Sequence, residues 1–84
     1  MKLSRAQLKE LRSSPPTGNR VARAIQLAGV TQAEVATALG LPQPYVSDVA
    51  RNRYQTITVE NARKFADFFD VQIEDLFPAR QEVA

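Results

Sequence analysis

The sequence contains no cysteine and no histidine in its 84 residues. That removes disulfide cross-links, thiol nucleophiles, the usual zinc, iron and copper ligand sets and the commonest general base together. Tryptophan is absent as well, and the three glycines are not grouped as a phosphate-cradling loop. No paired carboxylates are placed for acid–base work. The chain is therefore not expected to be an enzyme, and neither a metal site nor a cofactor is expected. No apolar run reaches the roughly 18 residues that a membrane helix requires. The opening MKLSRAQLKELR alternates charge with leucine instead of building a signal-peptide core. No membrane partner is expected, and the expected location is the cytoplasm.

What is present describes one small domain: 44% hydrophobic and 24% charged side chains. A chain of this size buries only about 60% of the surface its unfolded form exposes, so stability must come from good local geometry, to which a partner subunit could add. The net charge of +2 hides a polarity. Residues 1–64 hold ten of the eleven Lys and Arg against Glu10, Glu34, Asp48 and Glu60, a balance of +6. Residues 65–84 hold Arg80 against five acids, a balance of −4. Such asymmetry suits a basic face turned to a polyanion, and ordinary solvated surface charge is the alternative.

Capping chemistry marks the helices, because a Ser or Thr ahead of a helical run satisfies backbone N–H groups that have no partner inside it. Ser4-Arg5-Ala6-Gln7 is a capping box with Leu3 and Leu8 as its hydrophobic staple, predicting a helix from Arg5 to Arg12. Ser13-Ser14-Pro15-Pro16 stops it. Thr17 or Gly18 restarts a helix to Ala28, where Val21, Ala24, Ile25 and Ala28 form one stripe, and Gly29 ends it. Thr31-Gln32-Ala33-Glu34 is a second capping box, with Val30 and Val35 as staple, and its helix ends at Gly40. The next helix opens on Pro42 and Pro44, which a first turn tolerates, and Asn52 closes it in the left-handed region. Arg53 to Ile57 reads as a loop. Thr58 caps Val59 to Phe69, with Val59, Ala62, Ala66 and Phe69 on one face, and Asp70 ends that helix. A last turn, Ile73 to Phe77, precedes Pro78. No alternation long enough for a strand appears, so the fold class is all-α. Val35, Ala36, Leu39, Leu41, Val46 and Val49 are expected in the core. So are Phe65, Phe68, Phe69 and Phe77, except that Phe65 and Phe68 cannot both share the Val59 face and one of them is a candidate for a dimer interface.

Two short helices, Gln32 to Leu39 and Gln43 to Ala50, are separated by a turn that includes Gly40. This is helix-turn-helix spacing, in which the second helix puts its N-terminal residues against base edges of the major groove. A pair of packed bundle helices is the alternative. The run TQAEVATALGLPQPYVSDV resembles the Xre-type helix-turn-helix family, the small regulators related to phage lambda-like repressors, and the likeness extends from about Asn19 to Phe77. Thr31-Gln32, Ala36, Gly40, Val46-Ser47 and the closing Val71-Gln72-Ile73-Glu74-Asp75-Leu76-Phe77 carry it. Gln43-Pro44 followed by Val46-Ser47-Asp48 is most similar to the short bacterial regulators, many of which act as antitoxins.

The resemblance implies a compact five-helix lambda-repressor-like DNA-binding domain, here with an extra short N-terminal helix. Residues 1–16 are then an amphipathic helix and Pro-rich linker, 17–78 the helix-turn-helix domain and 79–84 a frayed tail. It implies base contacts from Gln43, Pro44, Ser47 and Asp48. Gln43 suits a bidentate pair with adenine N6/N7, Pro44 an apolar contact with a thymine methyl, and Asp48 accepts from cytosine N4 or else pairs with Arg51. Phosphate contacts are implied for Gln32, Tyr45, Arg51, Asn52 and Arg53, with Arg20, Arg23, Arg63 and Lys64 as weaker candidates. The implied partners are double-stranded DNA and a second copy of the chain. A sequence-specific repressor on a palindromic operator is the first reading. An antitoxin that holds a toxin protein through residues 3–11 or the acidic end is the second, and an interaction module without DNA is the third. Removal of residues 1–14 is expected to leave a regulator's operator binding intact. Four positions depart from the family pattern: Ile25 and Ala50 replace an ion pair and are expected to pack together, Asn52 replaces a glycine, and Asp70 stands where glycine is common.

Overall fold

The computed structural model describes residues 2–13, 18–53, 56–78 and 82–83. Six helices and one short strand pair make up the described chain: α1 (Arg5–Arg12), α2 (Val21–Ala28), α3 (Gln32–Leu39), α4 (Gln43–Ala50), β1 (Thr56–Ile57), α5 (Val59–Phe69), α6 (Ile73–Leu76) and β2 (Glu82–Val83). The helices fold around one core whose largest fully buried side chains are Phe65, Phe69, Leu11, Leu76, Val21, Val35 and Val46.

The capping signals are realised atom by atom. Ser4 Oγ accepts from the Gln7 N–H at 3.1 Å while Gln7 Oε1 accepts from the Ser4 N–H at 2.8 Å. Thr31 and Glu34 repeat the exchange at the start of α3, and Thr58 Oγ1 accepts from the Asn61 N–H at 3.1 Å. Gly29, Gly40, Asn52 and Asp70 take the left-handed conformation at φ 71, 67, 60 and 56. Each side-chain oxygen satisfies a donor that the first helical turn leaves without an acceptor.

Four features differ from the sequence expectations. First, α2 begins at Val21 and not at Thr17 or Gly18, because Gly18 lies at φ +82 and Asn19 Oδ1 accepts from the Val21 N–H at 3.0 Å. Thr17 and the Ser14-Pro15-Pro16 stop lie outside the described residues. Second, Val59 is 42% exposed: it occupies the first position of α5, where the helix has not yet reached the core. Third, Thr56–Ile57 and Glu82–Val83 pair in parallel, so the segment read as a loop and the tail read as frayed hold a two-residue ladder. Ile57 is buried, which fixes β1 from the core side. Fourth, Leu39, Leu41 and Phe68 are half-buried against the core and not within it; α5 buries Phe65 and Phe69, while Phe68 packs edge-on against Phe69 at 4.9 Å.

Helix α1 is an integral part of the domain. Leu3 and Leu11 are buried, Leu8 packs beside them, and the Leu3 N–H donates to the Phe69 carbonyl at 3.2 Å. Gln7 Nε2 donates to the Leu27 carbonyl at 2.8 Å, and Arg23 pairs with Glu10 at 2.8 Å. At its far end Arg12 grips Asp75 with two hydrogen bonds, 2.7 and 3.3 Å. Asp75 Oδ2 also accepts from the Gln72 N–H at the start of α6. Burial pushes the Asp75 carboxyl up, but the Arg12 hydrogen bond, the Gln72 N–H and the charges of Arg12 and Arg20 outweigh burial and hold it below the usual carboxylate value. The same hydrogen bond raises the Arg12 guanidinium. Ile25 and Ala50, the replaced ion pair, are both buried in the one core.

Candidate nucleic-acid interface

Helices α3 and α4 are linked by Gly40, Leu41 and Pro42. Gly40 takes positive φ at the end of α3 and its N–H bonds back to the carbonyls of Ala36 and Thr37. Leu41 N–H follows with a bond to the Ala36 carbonyl at 3.0 Å, so the chain reverses within one turn. Pro42 then caps α4, and Pro44 stands in its first turn, where a missing N–H costs nothing.

This turn fixes which side of α4 faces out. Val46, Val49 and Ala50 are buried, and the opposite side carries Gln43 and Pro44, both exposed, then Ser47 and Asp48, both half-buried. The four predicted base-contacting residues thus share one outward row. Gln43 and Ser47 hold no side-chain hydrogen bond to other described residues, which leaves their polar atoms available.

The predicted phosphate residues lie at the start of α3, within α4 and just beyond its end. Gln32 is half-buried at the first position of α3. Arg51 and Arg53 are exposed just beyond α4. Tyr45 is half-buried, and its hydroxyl accepts from Asn61 Nδ2 of α5 at 3.0 Å. Asn52 is exposed, and its Oδ1 accepts from the Asn19 N–H at 2.7 Å.

Asp48 does not pair with Arg51. Its Oδ1 lies 3.7 Å from Arg53 Nε, and the Arg53 side chain remains 63% exposed. The positive φ of Asn52 turns the chain back so that the Arg53 N–H bonds to the Asp48 carbonyl at 3.0 Å. That brings the guanidinium beside the carboxylate and screens a negative charge that would otherwise repel phosphate. Sequence reasoning missed Asn19 and Asn61, the two residues that hold α4 by side-chain hydrogen bonds. Their partners, the Val49 carbonyl and the Tyr45 hydroxyl, lie 30 and 16 residues away, too far for local capping patterns to point to them.

A helix-turn-helix family model matches residues 21–76, two thirds of the chain. The chain belongs to the Xre-type helix-turn-helix family. The member described here is a DNA-binding regulator of transcription in the general sense of that family, with α3 and α4 as its motif pair and α1 outside the matched segment. Neither a curated protein nor a solved structure matches the chain. Among the described residues no helix is long and apolar enough to cross a membrane, and no group of three or more Asp and Glu is arranged to hold a metal ion.

Proposed function

We propose that this helix-turn-helix protein is a sequence-specific repressor that binds a palindromic operator as a homodimer in the cytoplasm and blocks transcription by occupancy. The observation that supports this most is the outward row Gln43, Pro44, Ser47 and Asp48 backed by buried Val46, Val49 and Ala50. Gln43 reads adenine through a bidentate amide pair, Pro44 meets a thymine methyl, and Ser47 bonds either kind of base edge. Asp48 accepts from cytosine N4 or stays with Arg53. Gln32, Tyr45, Arg51 and Arg53 position the protein on phosphates, which fixes register without reading sequence, whereas Asn52, expected among them, has its Oδ1 committed to the Asn19 N–H. Arg20, Arg23, Arg63 and Lys64 add weaker long-range attraction.

The antitoxin reading drew on the amphipathic segment 3–11. The apolar side of α1 is committed to the protein's own core through Leu3, Leu8 and Leu11, which favours the regulator. Deleting residues 1–14 would therefore remove core, and the informative variant is instead the exposed pair Arg5→Glu with Lys9→Glu, which leaves that core intact.

A salt-titrated selection from random duplexes tests the proposal. Recovery of a palindrome, with log K falling steeply against log salt as counterions are released, is the expected outcome. Sequence-independent weak binding would overturn it.

A further inference from the structure

The start of α2 and the end of α4 are tied by a closed ring of hydrogen bonds centred on Asn19. Its Nδ2 donates to the Val49 carbonyl at 2.7 Å, its Oδ1 accepts from the Val21 N–H at 3.0 Å, and its own N–H donates to Asn52 Oδ1 at 2.7 Å. The Asn52 N–H closes the ring on the same Val49 carbonyl at 3.0 Å. Two backbone conditions confine the arrangement to these residue types. Asn52 sits at φ 60, a region asparagine enters more readily than other residues with a side chain. Gly18 sits at φ +82 beneath the Asn52 side chain, where an added Cβ would collide with Oδ1 and lie 2.6 Å from Cγ.

We infer that Asn19 and Asn52 are positioning residues for base readout: their clasp sets the angle at which Gln43, Pro44 and Ser47 enter the groove. The inference rests on the DNA-binding reading above. Helix α4 has eight residues and is about 12 Å long at 1.5 Å per residue. Its core side is three small apolar residues, Val46, Val49 and Ala50, which resist withdrawal but allow rocking. Polar ties oppose the rocking at both ends, Tyr45 to Asn61 in the first turn and the asparagine ring at the last. Base contacts tolerate displacements of only about 0.5 Å and 10–20°, whereas long arginine side chains follow a moving backbone. Releasing the ring therefore lowers discrimination between sequences before it lowers affinity for DNA as such.

Asn52→Gly keeps the positive φ and removes the acceptor without adding charge. Asn19→Ser keeps an oxygen for the Val21 N–H and loses the reach to Val49. Each full-length variant, confirmed folded by thermal unfolding, is titrated with the duplex recovered by selection and with a composition-matched scrambled duplex over a salt series. The expected result is a roughly tenfold fall in the selected-to-scrambled affinity ratio, at the low end of what one bidentate base pair contributes, with scrambled binding and salt slope unchanged. The double variant loses no more than either single, because both break one ring. Asn52→Asp, which restores the acceptor, recovers most of the ratio while its charge weakens both duplexes alike. An intact ratio overturns the inference: equal weakening on both duplexes makes Asn52 a phosphate contact, and a lowered melting temperature alone makes the ring structural. A wild-type chain with no preference for any duplex overturns the DNA reading itself.

Discussion

At the residue scale the decisive contrast is between Gln43 and Asp48, two polar side chains on one row of which only Asp48 has a charged partner among the described residues. Gln43 is exposed and can both donate and accept, so Gln43→Ala should cost about 1–3 kcal/mol per half-site of the selected duplex and relax preference at one base position in each. Repeating the selection with the variant checks this. Asp48 shares its charge with Arg53 at 3.7 Å. Asp48→Ala should therefore tighten binding to every duplex by releasing the guanidinium for phosphate; a lost preference at one position would instead mark Asp48 as a cytosine reader. The capping residues were legible in the sequence because Ser4, Thr31 and Thr58 act within three residues of themselves. The Asp48 partner was not. Helical spacing points to Arg51, and only the left-handed turn at Asn52 carries Arg53 back to the carboxylate.

At the element scale α1 is the part whose role differs most from its appearance. Its boundaries follow from local chemistry, and its apolar stripe was plain, but a stripe does not say what it covers. The partners of Leu11 and Arg12 lie far along the chain, and Asp75 is 63 residues from Arg12. Leu11 is fully buried, so Leu11→Ala should destabilise the domain by about 2–5 kcal/mol, read as a lower urea midpoint. The Arg12–Asp75 pair makes that stability depend on pH. Because the folded carboxyl titrates below its unfolded value, its contribution is fully present above an unfolded pKa of about 3.9 and is lost as pH falls through the lower folded value. Wild-type stability should drop steeply below about pH 4. Asp75→Asn should be less stable at neutral pH and show a shallower acid limb, measured by urea melts across pH.

At the scale of the whole molecule the charge polarity and the dimensions act together. The +6 segment contains the proposed reading surface, while the acids Asp67, Asp70 and Glu74 lie on α5, α6 and the turn between them, a polarity that favours approach to a polyanion by the basic segment. Arg51 and Arg53 then dominate the salt response. Each Arg→Ala change should reduce the slope of log K on log salt by about one per protomer, hence about two per dimer. The domain extends 29 × 27 × 19 Å over its Cα atoms. Two copies with side chains added thus fit edge to edge when their recognition helices stand one helical turn apart, about 34 Å or 10 bp. A duplex with five base pairs inserted between half-sites turns one of them to the opposite face, and dimeric occupancy should fail there. Inserting a full turn of about 10 bp restores the face but separates copies of this size beyond contact. Each half-site should then bind with single-protomer affinity, and a gel-shift series over the three spacings separates this contact-dependent dimer from independent binding, which would be indifferent to all of them.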